Sequence, residues 1–588
     1  MQMRHMLQGL LAAGLALGGC GENEVATSHI RSVIAGAIPG DSALAAGDSA
    51  AGSVGDSAAP GPAPVVTLAN GDTLTIRPSV VAFYRDRGFE PAWTDDDEIL
   101  SRGQSMLEAI GSADAEGLDR ERYHYSTAQE MAELLEEDAV EDRELEYLGN
   151  LDILLTENFA RLAQDLAAGS IDPEKAGLSW RIERGEAPES NLIDAVMNGE
   201  DPRAVLATVR PRVPYYDRMV LGLQRLRDVE ANGGWPAVPE GESLEEGAEG
   251  PRVAALRARL SAGDDPEETR LAQSGADRPE RFDAELRGAL EHFQTRHNLQ
   301  EDGALGPTTL AALNVPVEER IEAIRLNLDR WRWMPRKLGN RFIIVNVAGF
   351  ELEVVDGDSA IESMNVVVGK TANRTPIFQD TLEHMVVNPY WNVPESIAEE
   401  EIIPAALEDP TYLARNDYEL VYDGQVVPAA SVSPSALERG GFRIRQRPGA
   451  GNALGYVKFL FPNENDIYLH DTPADHLFSQ RTRAFSHGCI RVERPDDLAK
   501  TLLEVLTDRD PEDYEELRRA EGEQWVTFDQ KVPVYILYFT AWVNEDGTIR
   551  FHEDIYDRDR SLEAEQQEKL APVDHRPIAA AADLEEDR

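Results

Sequence analysis

The chain has 588 residues, 42% of them hydrophobic, which is enough apolar material for several cores and suggests two to four domains. It carries 108 acidic against 57 basic residues, a formal net charge of -51. Such a surface repels nucleic acid and anionic headgroups, which argues against a polyanion partner.

The first twenty residues, "MQMRHMLQGLLAAGLALGGC", place Arg4 before an apolar run from Leu7 to Leu17 that is too short to span a bilayer. The segment "LGGC" resembles a bacterial lipoprotein signal, with Gly18 where Ala, Ser, Thr or Val is more usual. That resemblance implies a lipoprotein signal peptide over 1–20 whose cysteine, Cys20, is acylated and becomes the mature N-terminus, and an exported protein anchored in the periplasm by lipid alone. Gly21 in place of Asp favours the outer membrane. An ordinary signal peptide with an incidental cysteine is the alternative.

Residues 21–66 repeat "GDSA" and continue into "APGPAPVV", a composition that reads as a flexible tether. From 70 to 235 the period is helical. Leu145, Leu148, Leu151, Leu155, Phe159, Leu162 and Leu166 form one apolar stripe, as expected for a helical domain without chemistry of its own. The acidic segment 236–250 reads as a linker. Residues 250–315 follow with Val253, Leu256 and Leu260 on one face, then Leu286, Leu290 and Phe293, then glycine turns and a short helix.

From 340 the period changes to two, in strand-like runs such as "RFIIVNV", "GYVKFLFPN" and "DIYLHDTP". A helix is expected after Pro495, a hairpin within an extension over 525–560, and a frayed tail over 561–588.

Apart from Cys20, the cysteine in "AFSHGCIRVERP" is the chain's sole thiol, Cys489, so it has no intramolecular disulfide partner once the signal is removed. No CxxC pattern accompanies it, so a metal role is not expected. Packing is the usual fate of a lone cysteine. Against that, His470 ends a strand-like run nineteen residues earlier, and an adjacent imidazole that takes the thiol proton turns cysteine into a nucleophile. Gly488 permits close approach of a carbonyl. The N–H groups around His487, Gly488 and Cys489 suit an oxyanion site. Arg491 projects to the face of Cys489 and suits a carboxylate.

"YLHDTP" (468–473) and "SHGCIRVE" (486–493) resemble the two halves of the L,D-transpeptidase motif on the YkuD-type fold. "AFYRDRGFEPAW", "NLDRWRWMP", "VNPYWNVPESI" and "PVYILYFTAWV" resemble the large YcbB-type branch, and "FQTRHNLQEDGALGPTTLAALN" resembles a peptidoglycan-binding module. The resemblance implies a multidomain α+β chain: a helical scaffold (70–235), a small three-helix peptidoglycan-binding module (250–315) and a β-rich catalytic domain (340–510) with a capping segment (395–455).

By resemblance, Cys489 is the nucleophile and His470 the general base. Asp471 orients His470, through its backbone carbonyl or else its side chain. Ser486, His487 and Gly488 shape the oxyanion loop, Arg491 is the motif arginine, and Tyr468 and Trp391 line the substrate pocket. The implied reaction joins peptidoglycan stem peptides in 3→3 cross-links through a cysteine thioester with release of D-Ala, without cofactor or metal. The partners implied are stem peptides and glycan strands. A thioester-based hydrolase or protein-release enzyme, and a non-catalytic wall-binding scaffold, are the alternatives.

Overall fold

The computed structural model describes residues 30–38, 63–95, 98–137, 139–185 and 187–570. The chain divides into two compact units, one comprising residues 1–168 and 186–210, the other residues 169–185 and 211–588.

The first unit is mainly helical: α1 (Pro78–Asp86), α2 (Ser101–Gly111), α3 (Tyr125–Glu136), α4 (Glu144–Ala168), α5 (Glu189–Met197) and α6 (Pro202–Ala207). Most of the predicted stripe on α4 is buried, and so is most of the rest of that helix, which makes it central rather than peripheral. Its buried Asp152 accepts the N–H groups of Ala92, Trp93 and Thr94 and the hydroxyl of Tyr84. That set of bonds folds the "AFYRDRGFEPAW" segment onto α4. The tether expected over 21–66 is corrected at two places. Residues 30–37 are helical, and 65–67 form a strand paired with 73–75. Ile30, Ile34 and Ile38 recur every four residues and pack into the same core, a helical face hidden within a small-residue composition.

In the second unit, α7 (Pro214–Ala231) packs on α12 (Val317–Arg332). Between them in sequence lies a small bundle of α8 (Pro251–Ser261), α9 (Pro266–Ser274), α10 (Ala284–Arg296) and α11 (Pro307–Leu313) around Leu256, Leu260, Leu290 and Phe293. The module therefore has four helices where three were expected. The extra one, α9, starts where Asp265 accepts the N–H groups of Glu267 and Glu268 and Pro266 takes the first helical position. The preceding "linker" is ordered too: Val238 is buried and donates its N–H to Asn314, and Leu244 bridges to Leu305.

The main sheet of this unit has ten strands. They are β1 (Trp180–Arg181), β2 (Arg341–Asn346), β3 (Glu351–Asp356), β4 (Ser359–Gly369), β5 (Ile377–Val387), β10 (Val457–Leu460), β11 (Leu469–His470), β12 (Ala484–Ser486), β13 (Ile490–Val492) and β14 (Gln524–Leu537). The order runs β10-β11-β13-β4-β3-β2-β14-β5-β1, with β12 beside β4. Pairing of β10 with β5 closes the sheet on itself as a barrel. Residues 524–537, expected within a C-terminal extension, instead sit between β2 and β5. The apolar run "VPVYIL" fits such an interior strand. A hairpin does follow, with 541–543 paired to 549–551. The expected tail over 561–588 is corrected in its first part, where Arg558–Leu570 is helical, and residues 571–588 lie outside the described residues.

Between β5 and β10 the chain forms a separate four-stranded sheet of β6 (Trp391–Asn392), β7 (Tyr418–Tyr422), β8 (Gln425–Val427) and β9 (Arg443–Gln446), in the order β6-β9-β7-β8. It has its own small core of Ile402, Leu413, Leu420, Leu437 and Ile444.

Candidate active site

The register of three short strands assembles the site. Lys458 on β10 is paired with His470 on β11, and His470 with Arg491 on β13. Their neighbours Val457, Leu469 and Ile490 belong to the barrel core, so alternation sends Lys458, His470 and Arg491 to the opposite face. Tyr468 and Cys489 lie two residues before His470 and Arg491 and share that face. The N–H of Ile490 donates to the carbonyl of Tyr468 at 3.1 Å, which fixes the two segments against each other.

His470 is buried, and its Nδ1 lies 2.6 Å from the carbonyl oxygen of Asp471. A carbonyl only accepts, so Nδ1 carries the hydrogen and Nε2 presents a lone pair. Burial pushes the imidazole down to about 3, helped by the positive charges of Arg491 and Lys458 and opposed by the Asp471 carbonyl. The ring is therefore neutral at physiological pH, in the tautomer of a proton acceptor. The Asp471 side chain is engaged elsewhere: its oxygens accept the N–H groups of Tyr456 at 2.7 Å and Thr472 at 2.6 Å. Of the two ways Asp471 was expected to meet His470, only the backbone carbonyl is in place.

Cys489 is partly accessible, with its sulfur 3.6 Å from the carbonyl of Asp466. Burial pushes the thiol up to about 11, against the hydrogen bonding of Tyr468 and the charge of Arg491, which pull it down. The resting pair is thus a neutral thiol and a neutral imidazole, not the ion pair that a cysteine–histidine motif suggests. The Tyr468 hydroxyl interacts with Cys489 on one side and with the Trp391 side chain on the other. The Tyr468 and His470 rings are 5.7 Å apart. Trp391 in turn lies 6.3 Å from Tyr418, so the small sheet supplies aromatic surface beside the thiol.

The loop before Cys489 is held by side chains. Gly488 has φ +121°, and a Cβ there would stand 3.2 Å from Ile467. Ser486 Oγ donates to the carbonyl of Cys489 at 2.6 Å and accepts the N–H of Gly488 at 3.0 Å. That commitment removes the Gly488 N–H from the expected oxyanion set, leaving those of His487 and Cys489. The His487 side chain meets the Glu401 carboxylate at 2.9 Å and Lys370 Nζ at 3.5 Å. Thr375, which the sequence did not single out, donates to the carbonyl of Gly488 at 2.8 Å and accepts the N–H of Gly369 at 2.9 Å. Lys458 was also missed: without strand register, nothing in "GYVKFLF" sets it beside His470. No group of side chains suited to a metal ion occurs among the described residues. Cys20 lies outside them.

Comparison with known proteins places families along this architecture. Residues 78–223 match a "Scaffold domain", 249–313 a "Putative peptidoglycan binding domain", and 340–536 an "L,D-transpeptidase catalytic domain" of the YkuD type. A "Putative L,D-transpeptidase" of Haemophilus influenzae is 35% identical over 249 residues, covering 41% of this chain and 49% of that protein. The chain thus spans about half the length of this curated relative. Among solved structures, an L,D-transpeptidase (residues 123–326) from Xylanimonas cellulosilytica is 15% identical, with 51% of this chain and 98% of that one covered and a TM-score of 0.16. A fused Zn-dependent amidase/peptidase/peptidoglycan-binding protein from Clostridium acetobutylicum is 12% identical, with 50% and 100% covered and a TM-score of 0.14. Scores this low carry no weight for the fold. The residues holding His470 and Cys489 thus fall within an L,D-transpeptidase catalytic domain of the YkuD family, in a chain that also carries a scaffold domain and a peptidoglycan-binding domain.

Proposed function

We propose that this protein is an L,D-transpeptidase that cross-links peptidoglycan stem peptides through a thioester on Cys489. The observation that carries the reading is the neutral His470, with Nδ1 bonded to the Asp471 carbonyl, on the same face as Cys489. His470 Nε2 takes the thiol proton as sulfur attacks the carbonyl preceding the terminal D-Ala of a tetrapeptide stem. The N–H groups of His487 and Cys489 receive the developing oxyanion. Collapse breaks the C–N bond, the proton passes from His470 to the departing amine, and D-Ala leaves behind a thioester. The side-chain amine of a second stem then attacks the thioester, His470 takes its proton, and that proton returns to sulfur as the amide forms. The product is a 3→3 link, and no metal or cofactor enters the scheme.

The test is mass spectrometry of muropeptides incubated with the purified protein. Linked dimers with loss of D-Ala support the reading; tripeptides without dimers indicate hydrolysis instead. Export, and lipidation at Cys20, belong to the same proposal. Replacing Cys20 by Ser should abolish labelled fatty-acid uptake and membrane retention, and continued labelling would refute the anchor. The role proposed for residues 250–315 is to hold glycan strands without entering the chemistry, so a chain lacking them should bind isolated wall less tightly yet still acylate Cys489.

A further inference from the structure

Lys458 and Arg491 flank His470 on adjacent strands, each one strand spacing away, roughly 5 Å. Neither has a carboxylate partner among the described residues. Lys458 reaches the carbonyl of Tyr390 at 3.5 Å, and the nearby carboxylate of Glu523 is engaged with the Tyr390 N–H. Arg491 forms no ion pair, and its Nε is buried without an acceptor. Burial also lowers the proton affinity of both side chains. In a chain with 108 acids and 57 bases, two half-buried cations without an ion-pair contact beside one imidazole are an anomaly, the Glu523 carboxylate acting on Lys458 only at longer range. Desolvated cations left unpaired destabilise the fold unless a ligand completes them.

The chemistry supplies such a ligand. His470 must reach the nitrogen that leaves. In a stem ending in a free amino acid, the carbon bonded to that nitrogen also bears the terminal carboxylate. The carboxylate therefore sits beside the same ring. We propose that Lys458, together with Arg491, forms a subsite for the free C-terminal carboxylate of the leaving amino acid, so that the site selects donors with an uncapped end. This rests on the acyl-transfer reading above.

The experiment uses the full chain and two tetrapeptide donors, one ending in D-Ala acid and one in D-Ala amide, with Cys489 acylation followed by intact-protein mass. The wild type should favour the acid by about 10- to 100-fold in kcat/KM, the range of a charge-assisted hydrogen bond. Lys458→Met should lose most of that preference, read as the ratio of kcat/KM for the two donors, in which any effect common to both cancels. Lys458→Arg, which keeps the charge, should restore the preference. A second probe needs no peptide: relative to free cysteine, wild-type Cys489 should favour iodoacetate over iodoacetamide, and Lys458→Met should lower that ratio. Equal use of acid and amide by the wild type, or an undiminished preference in Lys458→Met, would overturn the subsite. If neither donor acylates Cys489 but the iodoacetate preference still depends on Lys458, the subsite stands and the stem-peptide reading fails.

Discussion

The carbonyl oxygen of Asp471 lies 2.6 Å from Nδ1 of His470, and this contact decides which ring nitrogen is free. It places the hydrogen on Nδ1 and leaves Nε2 as the acceptor. The backbone, not a carboxylate, does the orienting. Asp471→Asn should accordingly leave the acylation rate within about five-fold of wild type, its cost falling on stability through weaker bonds to Tyr456 and Thr472, about 1 kcal/mol. A loss approaching that of His470→Ala would show that the side chain matters to the imidazole.

His470→Ala should lower acylation by at least the ~10²-fold typical of a lost general base. Truncating this buried ring should also cost about 1–3 kcal/mol of stability, so the rates are compared at a temperature where both proteins are folded.

The pH dependence separates a neutral pair from an ion pair. With the thiol pushed up to about 11 and the imidazole down to about 3, iodoacetamide should alkylate Cys489 slowly at pH 7 and faster as pH rises. Deprotonation then occurs above the ordinary cysteine value of about 8.5. A rate already flat between about pH 5 and 8 would mean a preformed thiolate, and the neutral resting pair would be wrong.

The loop makes its own demands. Gly488→Ala places a Cβ 3.2 Å from Ile467 at φ +121°, so a stability loss of about 1–3 kcal/mol is expected together with a fall in acylation. Thr375→Val removes the donor to the Gly488 carbonyl and the acceptor for the Gly369 N–H, both buried, and should cost about 1–3 kcal/mol. Chemical denaturation measures both. A Thr375→Val protein of wild-type stability and activity would show that this brace is dispensable.

The site was legible where chemistry and local pattern coincide. His470 and Cys489 stand out because a strand-like run ends in histidine and a lone thiol follows glycine. Lys458 and Thr375 were not, because their importance comes from register and from a distant turn, neither of which has a local signature. The same holds for the fold. The stripe on α4 was plain from its period. Residues 524–537 read as an appendage because they follow the motif in sequence, and only their pairing with β2 and β5 makes them interior. The helix at 30–37 was masked by the small residues around its three isoleucines, and α9 by an acidic composition whose "DPEE" is also a helix start.

The most direct test is peptide mapping of the protein trapped during turnover with a tetrapeptide stem. The expected result is a tripeptide-acyl adduct on Cys489, absent from Cys489→Ala, which should form no cross-links while unfolding at nearly the wild-type temperature. An adduct on any other residue, or cross-linking by Cys489→Ala, would contradict the assignment of Cys489 as nucleophile.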